Sequence, residues 1–122
     1  MNNEKSDLKR RVYQYALTII EFSDILDRKD CGVEVISKQL LRSTTSIGAN
    51  IIEAQAASSK KDFTNYSHHA LKSANESKFW LCLLRDSHQA NKNSANVLIK
   101  ETIELANIIA SSILTLKGKR KF

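Results

Sequence analysis

Helix bundles that carry out redox chemistry hold a pair of metal ions with Glu-x-x-His motifs and further inward-facing carboxylates, so the glutamate and histidine spacing is the first thing to read. No glutamate of this chain has histidine three positions on. Glu53 is followed at that spacing by Ala56, Glu76 by Phe79 and Glu101 by Glu104. His68 and His69 are adjacent and leave a helix on different sides, and His88 lies about five turns further along. Cys31 and Cys82 are isolated, with neither CxxC spacing nor a histidine partner, and read as reduced thiols. These patterns predict no metal and no cofactor.

Hydroxyl chemistry fares no better. Serine is abundant, but there is no Gly-x-Ser-x-Gly elbow, and Ser43, Ser46, Ser67, Ser73 and Ser77 recur at helical spacing as small packing residues. Neither GxxxxGK[ST] nor GxGxxG is present to cradle a phosphate. Tyr13, Tyr15, Phe79 and Trp80 could stack on bases, yet none sits in a strand motif that presents bases, so core or interface positions are expected. The chain therefore reads as a protein that is not an enzyme.

What remains is charge. The 122 residues carry 19 Lys and Arg against 13 Asp and Glu, a net +6, and where that excess falls depends on the elements that position it. Proline is absent and glycine occurs only at 32, 48 and 118, too little punctuation for a chain of strands and turns. Leu8, Val12, Tyr15, Ile19, Phe22 and Leu26 alternate four- and three-residue steps, which predicts a helix from 7 to about 28. A second helix is predicted from Val33 to Ala57, with Val33, Ile36, Leu40, Ser43, Ile47, Asn50 or Ile51, and Ala54 inward. Ser59 and Asp62 form a capping-box pattern that opens a third, from Lys60 to about Ala90, with Phe63, Ser67, Ala70, Ala74, Ser77, Leu81 and Leu84 on one face. A fourth, capped by Asn93 or Ser94, runs to about Lys117 with Ile99, Ile103, Ala106, Ile109 or Ala110, Ile113 and Leu116 inward, and Gly118 as its stop. Short connections favour antiparallel neighbours, so the expected fold is all-α, a single antiparallel up-down-up-down four-helix bundle over 1–122 with a basic C-terminal tail.

Gly48 and Asn50 interrupt the second helix in "TTSIGANIIEAQAA". The small faces of helices two and three suggest that Ser43, Gly48, Asn50 and Ala54 let the two backbones approach closely, offsetting the glycine's helix penalty.

The same stretch carries a resemblance. "LLRSTTSIGANIIEAQAASSKKDFTNYSHHALKSANESKFWL", residues 40–81, resembles the bacterial 23S ribosomal RNA intervening-sequence proteins, whose hallmark is Arg, then Ser-Ile-Gly-Ala-Asn-Ile-x-Glu, then Lys-x-x-Phe and a third helix rich in Ala, Ser and Glu. The matching positions are Arg42, Ser46, Ile47, Gly48, Ala49, Asn50, Ile51, Glu53, Lys60, Phe63, Ala70, Ser73 and Glu76. Ala54 departs from the pattern, which often has Gly there. The resemblance implies a closed bundle assembled as a ring-like homopentamer. A related branch serves as the accessory protein of diversity-generating retroelements, which implies RNA or DNA and a protein partner such as a reverse transcriptase.

Two features of the residues themselves bear on partners. An antiparallel bundle gathers residues 1–14, 53–62 and 113–122 at one end, where Lys5, Lys9, Arg10, Arg11, Lys60, Lys61, Lys117, Lys119, Arg120 and Lys121 face four acidic residues, so the whole +6 excess sits there. That end is the candidate nucleic-acid-binding surface. Val97, Leu98, Leu105 and Ile108 beside the fourth helix's inward stripe, with Trp80 and Leu83 on the third, exceed what one bundle can cover and predict a homo-oligomer. Arg42 and Glu53, eleven positions apart on one side of the second helix, are either solvated salt-bridge partners or contacts between subunits. The N-terminus "MNNEKSDLKR" lacks an apolar signal region and no apolar run spans a bilayer, so the expected location is the cytoplasm, away from membranes.

Overall fold

The computed structural model describes residues 3–87 and 89–120, with side chains from Asp7 to Leu116 apart from His88. His88 and Lys121 fall outside these residues, and the side chains of Lys5, Lys117, Lys119 and Arg120 fall outside the described side chains. Four helices follow one another: α1 (Asn3–Asp24), α2 (Cys31–Ala56), α3 (Lys60–Asp86) and α4 (Lys92–Arg120).

Local chemistry explains most of the ends. Asp30 caps α2, its carboxylate accepting from the Val33 N–H at 3.1 Å, and Ser59 caps α3 by accepting from the Asp62 N–H at 3.1 Å. Each such cap is worth about 1 kcal/mol. Several boundaries differ from the periodicity, among them the end of α3, which falls at Asp86 and not near Ala90. α1 stops at Asp24, and the turn closed by the Leu26 N–H on the Ser23 carbonyl keeps Leu26 buried outside the helix. α4 begins at Lys92, because Asn91 accepts from the Ser94 N–H at 3.0 Å and does the capping expected of Asn93 or Ser94. It then runs through Gly118 to Arg120, so that glycine is no stop.

Cross-helix contacts fix the directions. Ser43 meets Ser77 and Ser46 meets Ser73, so α2 and α3 run antiparallel. Val12 lies against Gly48, while Leu8 joins Ile51 and Ala54 around one cavity, so α1 and α2 do the same. Tyr15 pairs with Thr102 and Leu8 approaches Ile108 and Ser112, which gives α1 and α4 opposite senses.

The core holds the whole predicted α1 stripe from Val12 to Leu26, together with Leu40, Ile47, Ile51, Ala70, Ala74, Leu81 and Leu84. The predicted inward stripe of α4 needs correction. Ala95, Leu98, Ile99, Thr102, Leu105, Ile109 and Ile113 are its buried residues, whereas Ile103 is 38% exposed. Leu98 and Leu105 therefore belong to the chain's own core and contribute nothing to an oligomer surface. The buried threonine has a reason: Thr102 donates to the Leu98 carbonyl at 2.7 Å, which leaves its oxygen to accept from the Tyr15 hydroxyl at 2.5 Å. Burial pushes that phenol up to about 12, with the Thr102 hydrogen bond pulling the other way, so it remains a donor.

Candidate functional site

The motif of α2 divides between two faces. Its inward half forms a polar seam with α3. Asn50 Nδ2 donates to the Ser46 carbonyl at 2.9 Å and to Ser46 Oγ at 3.1 Å, and Ser73 Oγ donates to the same Ser46 oxygen at 3.0 Å. One turn away, Ser43 Oγ and Ser77 Oγ are 2.7 Å apart, and Ser77 also donates to the Ser73 carbonyl. Asn50 thus has a place inside a helix because its amide satisfies itself locally and orders the hydroxyl that reaches α3.

Arg42 finds its partner across the same seam. Its Nη2 is hydrogen-bonded to the Glu76 carboxylate, its Nε donates to Gln39 at 3.0 Å, and Glu76 also accepts from the Trp80 indole N–H at 3.2 Å. Of the two charged motif residues, Arg42 is thus a salt-bridge partner within the chain. Glu53 is exposed and makes no ion pair among the described residues. No sequence spacing could have shown Arg42–Glu76, because the two stand 34 positions apart and meet only through the α2–α3 register.

The outward half of the motif behaves differently. Gly48 does not face α3, as its small neighbours suggested, but the groove between α1 and α2. A Cβ built there would meet nothing closer than Val12 Cγ2 at 4.0 Å, an ordinary contact. The helix penalty of about 1 kcal/mol at this glycine is therefore not offset by any close approach within the chain. The groove encloses about 550 Å³ and is lined by Lys9, Arg10, Val12, Tyr13, Ala16, Thr45, Gly48, Ala49 and Ile52.

At the end where α1 begins and α2 ends, all four helices surround a second cavity of about 420 Å³, with Leu8, Arg11, Ile51, Gln55, Phe63, Ser67, Ile109 and Ser112 among its lining. Phe63 is the half-buried motif aromatic at this end. The basic candidates that can be placed are not equivalent. Lys9, Lys60 and Lys61 are exposed, and Arg10 is exposed with only a 3.5 Å contact to Asp7. Arg11 is committed: its Nε and Nη2 grip Glu101 at 3.1 and 2.7 Å, and Nη2 also reaches Glu104 at 3.2 Å. These partners, the Glu101 hydrogen bond foremost, hold its pKa above the usual guanidinium value. Arg11 ties α1 to α4 and is removed from the list of free cations.

Among the described residues there is no group of three or more histidine, cysteine or acidic side chains able to hold a metal, and no helix long and apolar enough to cross a membrane. Tyr15 is buried, Tyr13 and Phe79 are 68% and 55% exposed, and Trp80 packs edge-on to Phe79 with ring centres 5.0 Å apart. Cys31 is exposed at the start of α2, and Cys82 is half-buried against the core.

The fold and these contacts define an all-α four-helix bundle whose α2 motif is shared between an inward polar seam and an outward groove. The 23S rRNA-intervening sequence protein family matches residues 4–111, and the chain belongs to that family. A crystal structure of a protein with unknown function from the S23 ribosomal protein family of Bacteroides thetaiotaomicron VPI-5482 is similar, with 36% sequence identity and a TM-score of 0.80. The match covers 87% of this chain and 97% of that one. No curated protein matches the chain.

Proposed function

We propose that the protein is a non-enzymatic, homo-oligomeric bundle, a pentameric ring by its family resemblance, that associates with RNA or DNA phosphate backbones through its basic end. The observation that carries this reading is the exposure of Lys9, Arg10, Lys60 and Lys61 where α1 starts and α2 hands over to α3. The C-terminal sequence carries four further cations, Lys117, Lys119, Arg120 and Lys121. A ring repeats the basic end around one face and sums its potential, which attracts phosphates without reading bases. The names of the family and of the Bacteroides relative, which refer to ribosomal RNA and ribosomal protein, fit the same chemistry.

The test is a titration of RNA and DNA duplexes of unrelated sequence at several salt concentrations. With four phosphate contacts engaged, affinity falls about a hundredfold between 50 and 200 mM salt, with little preference among sequences. No binding to either nucleic acid at low salt would leave a protein-only scaffold, whose basic end serves solubility or an acidic protein partner such as a reverse transcriptase.

A further inference from the structure

We infer that the cavity surrounded by all four helices, where α1 begins and α2 ends, is a binding site for an uncharged, mainly apolar small molecule that carries one hydrogen-bonding group. At about 420 Å³ it falls within the size range of ligand pockets. Leu8, Ile51, Phe63, Ile108 and Ile109 give it apolar walls drawn from every helix. Small residues keep it open: Ala54, Ser67 and Ser112 stand on the wall where leucine or phenylalanine would fill the space. A second, more open cavity of about 540 Å³ shares Phe63, Ile108 and Ser112 with the first, so the path from solvent runs past the half-buried Phe63 ring.

A hydroxyl on the wall sets what the occupant must offer. Ser67 is 2% exposed and lines the cavity, yet it forms no hydrogen bond with any described residue. The other serines of α3 on this side are satisfied, since Ser73 donates to Ser46 and Ser77 lies 2.7 Å from Ser43. Buried hydroxyls are costly without a partner, and a ligand group that donates or accepts removes that cost. Ser112 donates to the Ile108 carbonyl at 3.0 Å, which leaves its oxygen able to accept as well. The charges on the wall exclude an ionic ligand. Arg11 is already held by Glu101 and Glu104, and Asp7, the lining carboxylate, is two-thirds exposed to water beside Arg10. An anion would meet a neutralised guanidinium, and a cation would lose its hydration against apolar walls without a buried counter-charge. None of the exposed cations Lys9, Arg10, Lys60 and Lys61 lines the cavity, so this site stands or falls apart from nucleic-acid binding.

The experiment titrates the full-length protein at neutral pH with para-phenylphenol, biphenyl and biphenylcarboxylate, read by calorimetry and by amide NMR shifts. Para-phenylphenol should bind saturably and shift resonances around Ile51, Phe63 and Ser67. Biphenyl, which lacks the hydroxyl, should bind about tenfold more weakly, and the carboxylate at least tenfold more weakly than the phenol. Ser67→Ala removes a hydroxyl that has no partner in the fold, so it should abolish the phenol's advantage and leave biphenyl binding unchanged. Ser67→Leu, checked first for helical content, should fill the cavity and weaken both uncharged probes at least tenfold. The assignment is overturned if para-phenylphenol does not saturate, or if its shifts centre on the groove between α1 and α2. Biphenyl or the carboxylate binding as tightly as the phenol, or an undiminished preference in Ser67→Ala, would overturn it equally.

Discussion

Replacing Lys9, Arg10, Lys60 and Lys61 together by alanine is expected to weaken nucleic-acid binding about a hundredfold near 100 mM salt, and to flatten the salt dependence by about three units of log–log slope. All four are exposed, and among the described residues none has a carboxylate closer than the 3.5 Å that separates Arg10 from Asp7. Their removal should therefore leave the fold as it is, which circular dichroism would check. The informative control is Arg11→Met. That residue stands in the same basic run, but Glu101 and Glu104 already neutralise it, so the slope should not change, although the α1–α4 tie is lost. A variant set in which Arg11 matters as much as Lys9 would mean that binding breaks the Glu101 pair, and the division between free and committed cations would be wrong.

The second large effect concerns stability. Ile47→Ala should lower the unfolding free energy by about 3 kcal/mol, and the melting temperature by roughly 10 °C. Ile47 has no exposed surface, and it occupies the inward half of the motif between the seam residues Ser43 and Ser46 and the α1 side chains. Ile52→Glu, five residues on and half exposed, should cost the isolated protomer little. Denaturant titration of the two distinguishes a motif kept for its core from one kept for its outer face. Comparable losses in the monomeric protomer would remove the case for an outward role.

The sequence made some of these features plain and hid others, for reasons that can be named. In α1 the regular four- and three-residue stripe of Val12, Tyr15, Ile19 and Phe22 is the face that turns inward, while Tyr13, Leu17 and Ile20 beside it stay exposed. α4 carries apolar residues on nearly every side, Val97, Leu98, Ile99, Ile103, Leu105 and Leu114 among them, and periodicity cannot choose between stripes. In the structure the inward stripe includes Thr102, which meets the buried Tyr15 hydroxyl, a cross-helix contact that no period shows. The capping serine at 59 was legible because a cap is local chemistry, three residues wide. The partner of Arg42 was not, since Glu76 becomes its neighbour only when two helices align. Gly48 shows the limit most sharply: its presence was legible, but the side to which it opens depends on where α1 lies.

The connections between helices span only residues 25–30, 57–59 and 87–91, each helix packs on its neighbour in sequence, and the chain contains no proline. Refolding thus has no prolyl isomerisation, which takes tens of seconds, and proceeds through local contacts that form in microseconds to milliseconds. The clock of this molecule is accordingly split. Fast, concentration-independent kinetics time the closing of one bundle, and any phase of seconds or longer that quickens with protein concentration times the meeting of separate chains.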